Sequence, residues 1–376
     1  MLGEVYMQSF RVPRYNYRAQ FGPDPDELIR RIKCMILDGR YILSDEVERF
    51  EIDFAKFIGV RFARGVNTGT DALALAMRVI GIGPGSEVIT QANTFNATVA
   101  AIELVGAQPI LVDAEDGSFL MDQGQAEVAI TERTRAIIPV HLYGKPTPMT
   151  PLLDIARNAE LSIIEDAAQA HGARWDGRCV GSFGRLACFS FHPSKNLAAA
   201  GDAGAVVTDD QDLAFALSCH RALGQAGQND HILAGLNTKL DSIQAVILSW
   251  KLDKLEEWNE GRGRVAKGYR EQLVDLPVSF QSSSPNETHV YHLFQLRTVR
   301  RDQLLAHLRS KGVDAVIRYP VPIHLQPAFQ RWKWKLGQFP IAERLATELV
   351  ALPIRPDMEA WEVDYVAECT RDFFQK

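Results

Sequence analysis

Leu186-Ala-Cys-Phe-Ser-Phe-His-Pro-Ser-Lys-Asn-Leu197 is the stretch that decides how this chain reads. Its first six residues form an alternating apolar run, the pattern of a buried strand. The run stops at His192-Pro193, because proline disfavours helix in the residue before it. A small, turn-prone pair then presents Lys195. A lysine just past a buried strand, beside serines and an asparagine, is not placed like a surface charge. Removal from water lowers an ammonium's pKa and opens access to the neutral, nucleophilic amine. That amine can form a Schiff base with an aldehyde. Alone, Lys195 would read as a solvated loop lysine; the surrounding stretches reverse that reading.

Upstream, strand and helix patterns alternate. Strands are expected over 87–90, 108–113, 136–141 and 161–165, with helices over 26–37, 45–57, 95–104 and 149–158. This rhythm predicts a mostly parallel sheet covered by helices, with functional groups gathered at the carboxyl ends of strands. Ala92-Asn-Thr-Phe95 follows one strand and Glu165-Asp-Ala-Ala-Gln169-Ala-His-Gly172 follows another. Asp166, at the end of a buried strand, needs a partner. It is either a helix cap or core ion pair, or a carboxylate that keeps a heterocyclic nitrogen protonated. Phe95 is either core filler or a stacking face for a planar ring. In Gly65-Val-Asn-Thr-Gly69-Thr70-Asp71-Ala-Leu73 a glycine turn opens an apolar helix. Its start suits a phosphate or an ordinary Thr/Asp cap. It matches neither the P-loop nor the dinucleotide-binding glycine pattern.

Downstream, a turn and strand over 201–208, a helix over 212–223 and a polar loop over 224–234 lead to one long helix running toward Trp258. The boundary between a large domain (1–249) and a small one (250–376) is expected within it, since 376 residues exceed the roughly 250–300 at which one core usually divides. The second unit reads as strands over 291–297 and 313–319, helices over 301–310, 341–350 and 359–373, and a stiff polar loop through His324. Residues 1–22 read as an irregular arm lying against a partner or substrate, or as a frayed end.

The formal net charge of −6 implies no general nucleic-acid surface. Five cysteines without tight spacing imply neither a zinc site nor a disulfide framework, and point to a reducing, cytoplasmic setting. There is no secretory signal core and no apolar run of the roughly 20 residues that span a bilayer.

Gly69-Thr-Asp-Ala-Leu73, Gly83-Pro-Gly-Ser-Glu-Val-Ile89, Thr94-Phe95, Val140-His-Leu-Tyr-Gly144, the 165–172 and 189–196 stretches, Gly235-Leu-Asn-Thr-Lys-Leu-Asp-Ser-Ile-Gln244 and Tyr319-Pro-Val-Pro-Ile-His-Leu-Gln326 together resemble the DegT/StrS family of sugar aminotransferases. The resemblance runs from about Gly65 to about Asp364. It implies the type I aminotransferase fold: a large domain with a mostly parallel seven-stranded sheet and a smaller C-terminal α/β domain. It implies pyridoxal 5'-phosphate as cofactor, a nucleotide-linked keto sugar and an amino-acid donor (L-glutamate) as substrates, and a homodimer with shared sites.

By the same resemblance, Lys195 forms the Schiff base, Asp166 faces the pyridine nitrogen and Gln169 lies near the ring's phenolic oxygen. Phe95 stacks on the ring, and Gly69, Thr70 and Ser190 cradle the phosphate. Asn237 reaches the neighbouring subunit's cofactor, and Tyr319 and His324 are candidates for substrate contact. Lys239 stands where arginine is usual, and Arg318 where histidine is common. The alternatives are an aminotransferase acting on a keto-cyclitol, a pyridoxal-phosphate-dependent sugar dehydratase, in whose family relatives histidine replaces the lysine, and a non-enzymatic scaffold.

Overall fold

The computed structural model describes residues 10–22 and 25–375. Residues 1–9 of the expected arm, and Pro23, lie outside the described residues.

Seven strands form the main sheet: β1 (Phe62–Val66), β2 (Glu87–Gln91), β3 (Gln108–Val112), β4 (Thr134–Ile138), β5 (Ser162–Asp166), β6 (Leu186–Ser190) and β7 (Gly204–Thr208). Their spatial order is β1-β7-β6-β5-β4-β2-β3. Only β7 runs against its neighbours; β6, β5, β4, β2 and β3 are parallel. The alternation read from the sequence has a direct structural cause. Leu186 and Cys188 face one core with Val206 and Ile164, while Ala187 and Phe189 face another with Val207 and Ala63. Phe54 packs edge-on against Phe189 and Phe191, at 5.0 and 5.2 Å between ring centres, a geometry that adds to simple burial.

The helices are α1 (Asp26–Leu37), α2 (Asp45–Ile58), α3 (Gly69–Val79), α4 (Asn96–Leu104), α5 (Gln123–Val128), α6 (Met149–Asn158), α7 (Gln211–Arg221), α8 (Ser242–Leu252), α9 (Leu255–Leu273), α10 (Arg301–Ser310), α11 (Pro340–Glu348) and α12 (Ala360–Gln375). The expected long helix toward Trp258 is two helices, α8 and α9, separated at Asp253-Lys254. Leu252 and Leu255, flanking the break, share the core beneath α2, whereas Val265, Ala266, Tyr269 and Leu273 of α9 join a separate core with α10 and α12.

That second core is covered by a three-stranded antiparallel sheet, β8 (Ser279–Phe280), β9 (Phe294–Arg297) and β10 (Leu349–Leu352). Two expectations fail here. Residues 313–319 form no strand, because their backbone pairs with two different elements: Val313 bridges Val12 and Val316 bridges Ala351. The helix expected over 341–350 ends at Glu348, and the wholly buried Leu349–Leu352 run pairs with β9 instead.

The described part of the arm is docked on its own chain. Val12 is buried, Arg14 pairs with Asp314 at 3.0 Å, Asn16 donates to Asp357 at 2.7 Å and Lys251 donates to Gln20 at 2.9 Å.

Candidate active site

A cleft of about 450 Å³ opens at the carboxyl ends of the parallel strands. It is lined by Gly69, Thr70, Phe95, Asp166, Gln169, Ser190, Lys195 and Tyr319, eight of the ten residues singled out in the sequence. The other two lie elsewhere. Asn237 is exposed, and its side-chain oxygen accepts from Lys239. His324 is buried, with its Nε2 2.8 Å from a Glu343 oxygen and its ring edge-on to Phe339.

Asp166 ends β5, and register brings it opposite Cys188 in β6, so Ser190 lies two residues farther along toward the cleft. One carboxylate oxygen accepts the Thr98 hydroxyl at 2.8 Å and the other accepts the Ala168 N–H at 3.2 Å. Burial raises the Asp166 pKa, while these two hydrogen bonds and the nearby Lys195 and His141 pull it down. The carboxylate is thus held in place, short of a full ionic partner, facing a cleft able to supply one.

Lys195 follows the turn that ends β6. Its N–H donates to the His192 carbonyl at 2.8 Å, and Asn196 is anchored behind it on the Val290 carbonyl at 2.9 Å. The amine is half-buried among the cleft walls. Desolvation lowers its pKa from 10.5 to about 8, with Asp166 opposing the shift and Arg318 adding to it. At neutral pH roughly one amine in ten is then uncharged, against roughly one in three thousand for an ordinary lysine.

Helix α3 starts at the far wall. Thr68 caps it, its hydroxyl accepting the Asp71 N–H at 2.9 Å. The N–H groups of Gly69 and Thr70, in the first turn, have no partner within the helix, and they sit at its positive end. A Cβ on Gly69 would lie 2.6 Å from the Ser190 Cβ. Only glycine lets this helix start approach the end of β6, which puts two backbone donors and a serine hydroxyl on one wall. That arrangement suits a phosphate.

Phe95, just before α4, is 51% exposed, and its ring lies 6.0 Å from Tyr319. An apolar ring left uncovered at a cleft is ready to stack on a planar ligand. Gln169 is locked between two residues: its oxygen accepts the Tyr143 N–H and its nitrogen donates to the Tyr319 hydroxyl, both at 2.8 Å. Tyr143 is held at a φ of 64°, a left-handed conformation costly for a tyrosine. Burial pushes the Tyr319 hydroxyl up to about 12, so it stays protonated.

Two functional neighbours escaped the sequence reading. Thr98 stands three residues past Phe95, one helical turn from it, and that spacing was the available signal. His292 reaches the cleft from the loop before β9, and nothing local marks it. Glu165, the neighbour of Asp166, is spent on structure: its oxygens accept the N–H groups of Gly181, Phe183 and Gly184 at 2.7–2.8 Å.

A lowered lysine, a buried carboxylate, a phosphate cradle and an exposed aromatic in one cleft fit a phosphorylated planar heterocyclic aldehyde. The DegT/DnrJ/EryC1/StrS aminotransferase family matches residues 24–371. The chain belongs to this family. It is an aminotransferase, and pyridoxal phosphate is its cofactor. A dTDP-3-amino-3,4,6-trideoxy-alpha-D-glucose transaminase of Streptomyces venezuelae is 41% identical over 97% of this chain and 97% of its own length. A UDP-N-acetyl-3-dehydro-alpha-D-glucosamine 3-aminotransferase of Acidithiobacillus ferrooxidans is 40% identical over 97% of this chain and 98% of its own. The crystal structure of S. venezuelae DesV in complex with a ketimine intermediate superimposes with a TM-score of 0.95 at 41% identity, covering 97% of this chain and 99% of that one.

Proposed function

We propose that this aminotransferase moves an amino group from L-glutamate to a keto group at carbon 3 of a nucleotide-linked deoxysugar. The observation that carries the reading is the placement of Lys195 and Asp166 in one cleft. The position on the sugar follows the two relatives, whose names both specify carbon 3.

Bound pyridoxal phosphate supplies a protonated heterocycle that accepts the electron pair left when the amine-bearing carbon loses its proton. The chain's residues make that possible. Asp166 favours the protonated ring nitrogen by its charge, and Thr98 and Ala168 fix its direction. Gln169, oriented by Tyr143 and Tyr319, would lie beside the ring's phenolic oxygen. Phe95 would cover one ring face, and Gly69, Thr70 and Ser190 would hold the phosphate. Lys195 would be the covalent anchor, and its amine, neutral when free and placed in the same cleft, would hold and pass on the proton that the amine-bearing carbon gives up.

The division into a cofactor-bearing unit of residues 1–249 and a smaller unit of residues 250–376 belongs to this reading. So does a cytoplasmic homodimer. Ile29, Ile36 and Leu37 on α1, and Tyr41 and Ile42 beside it, are 44–74% exposed, an apolar surface suited to a partner. Asn237, exposed and outside its own chain's cleft, is available to a neighbour's cofactor. All five cysteines are free, as a reducing compartment favours.

The test is spectroscopic. Protein loaded with pyridoxal phosphate should show a visible band that shifts on adding glutamate, and returns on adding a 3-keto nucleotide sugar with release of an amino sugar. A band that responds to glutamate and to keto-inositols, but to no keto-sugar nucleotide, contradicts the acceptor.

A further inference from the structure

A second, smaller chamber shares Lys195 with the cleft as a lining residue. It measures about 160 Å³ and lies between the arm, at Arg14, Tyr15 and Asn16, and Arg262 of α9. Lys195 lines both spaces. Each space also holds a guanidinium that lacks an ion-paired carboxylate among the described residues: Arg318 in the cleft and Arg262 in the chamber. Arg262 is only 9% exposed, and one of its terminal nitrogens donates to the carbonyls of Tyr291 and Ile354, at 3.1 and 3.0 Å. No acid of the chamber forms a direct ion pair with it: Asp357 acts on its charge from a distance while bound by Arg355 at 3.2 Å and Asn16 at 2.7 Å, and Glu257 forms no ion pair with it. Arg318 lines the larger cleft, half-buried, and its Nη2 donates to the Tyr15 hydroxyl oxygen at 3.1 Å.

A desolvated charge without a counter-ion is costly. Burial lowers even the Arg262 guanidinium to about 10. The usual compensation is an anion that arrives with the ligand. We propose that Arg262 and Arg318 form a pair of carboxylate-binding groups that seats a dicarboxylic amino donor across Lys195, one carboxylate at each guanidinium, with the donor nitrogen at the lysine between them. This deepens the reading above and rests on its glutamate donor. The arm chamber admits a short carboxylate-bearing side chain, while drug-sized ligands occupy pockets of about 300 Å³ or more; a nucleotide diphosphate does not fit it. Arg318 then helps set donor choice in this chain.

The test uses cofactor-loaded protein and an unreactive dianion. Calorimetric titration should find that glutarate binds more tightly than butyrate, and that Arg318→Gln and Arg262→Gln each weaken glutarate about ten- to a hundredfold. In the half-reactions, the variants should raise the KM for glutamate and leave the KM for the nucleotide sugar unchanged. Circular dichroism reports folding. If Arg262→Gln does not fold, Arg262→Lys, which keeps a cation within reach of the two carbonyls, and Arg318→Gln carry the test. Unchanged glutarate binding in folded variants overturns the pair, and so does a loss that falls on the nucleotide sugar. A wild-type protein that glutamate does not convert would instead overturn the donor itself, whatever the arginines do.

Discussion

On the floor of the cleft, Asp166 and Ser190 are the last residues of adjacent parallel strands, and Lys195 follows one turn later. Toward the arm, Arg318 and Tyr319 come from a segment with no continuous ladder, and Tyr15 from a strap docked by one backbone bridge at Val12 and by side-chain contacts. On the floor, strand register places the chemical groups. Toward the arm, single tertiary contacts place the groups that would meet substrate.

That contrast can be broken by substitution. Lys195→Ala should lower turnover by on the order of a thousandfold or more, since anchor and proton carrier vanish together; a steady-state assay retaining a tenth of the rate would place the chemistry elsewhere. Asp166→Asn keeps the shape but removes the charge, and should cost on the order of a hundredfold in kcat with little change in KM. Gly69→Ala forces a methyl against Ser190, and should weaken cofactor binding roughly tenfold or more, read by titration of the stripped protein.

The pH dependence sharpens the same contrast. The reactive form of Lys195 is the neutral amine, and its pKa is lowered to about 8. The rate of cofactor capture should therefore climb roughly tenfold between pH 7 and 9 and then level off. A rate that keeps rising through pH 10 would describe an unperturbed lysine. The smallest effect is expected at His324, which touches Glu343 and Phe339 outside the cleft. His324→Gln should lower stability by about 1 kcal/mol and leave KM for both substrates within about twofold; a large KM increase would bring the residue back to the substrate.

The same contrast governs what the sequence could tell. The main sheet was legible because its strands are buried on both faces and leave alternating or continuous apolar runs, as at Leu186–Ser190. The cleft floor was legible because its residues terminate those strands. Residues 313–319 read as a strand from their apolar content, but two different neighbours claim their backbone. His324 looked available in a proline-rich loop; Phe339 and Glu343, 15 and 19 residues on, bury it. Arg262 carries no local signal in the sequence of its helix; the carbonyls of Tyr291 and Ile354 draw it inside.

One experiment bears on the central claim most directly. Protein loaded with pyridoxal phosphate is treated with borohydride, digested and mapped by mass spectrometry. The account requires the reduced cofactor on the peptide containing Lys195, at that side chain and in stoichiometric amount. The modification on another lysine, with Lys195 unlabelled, would contradict it.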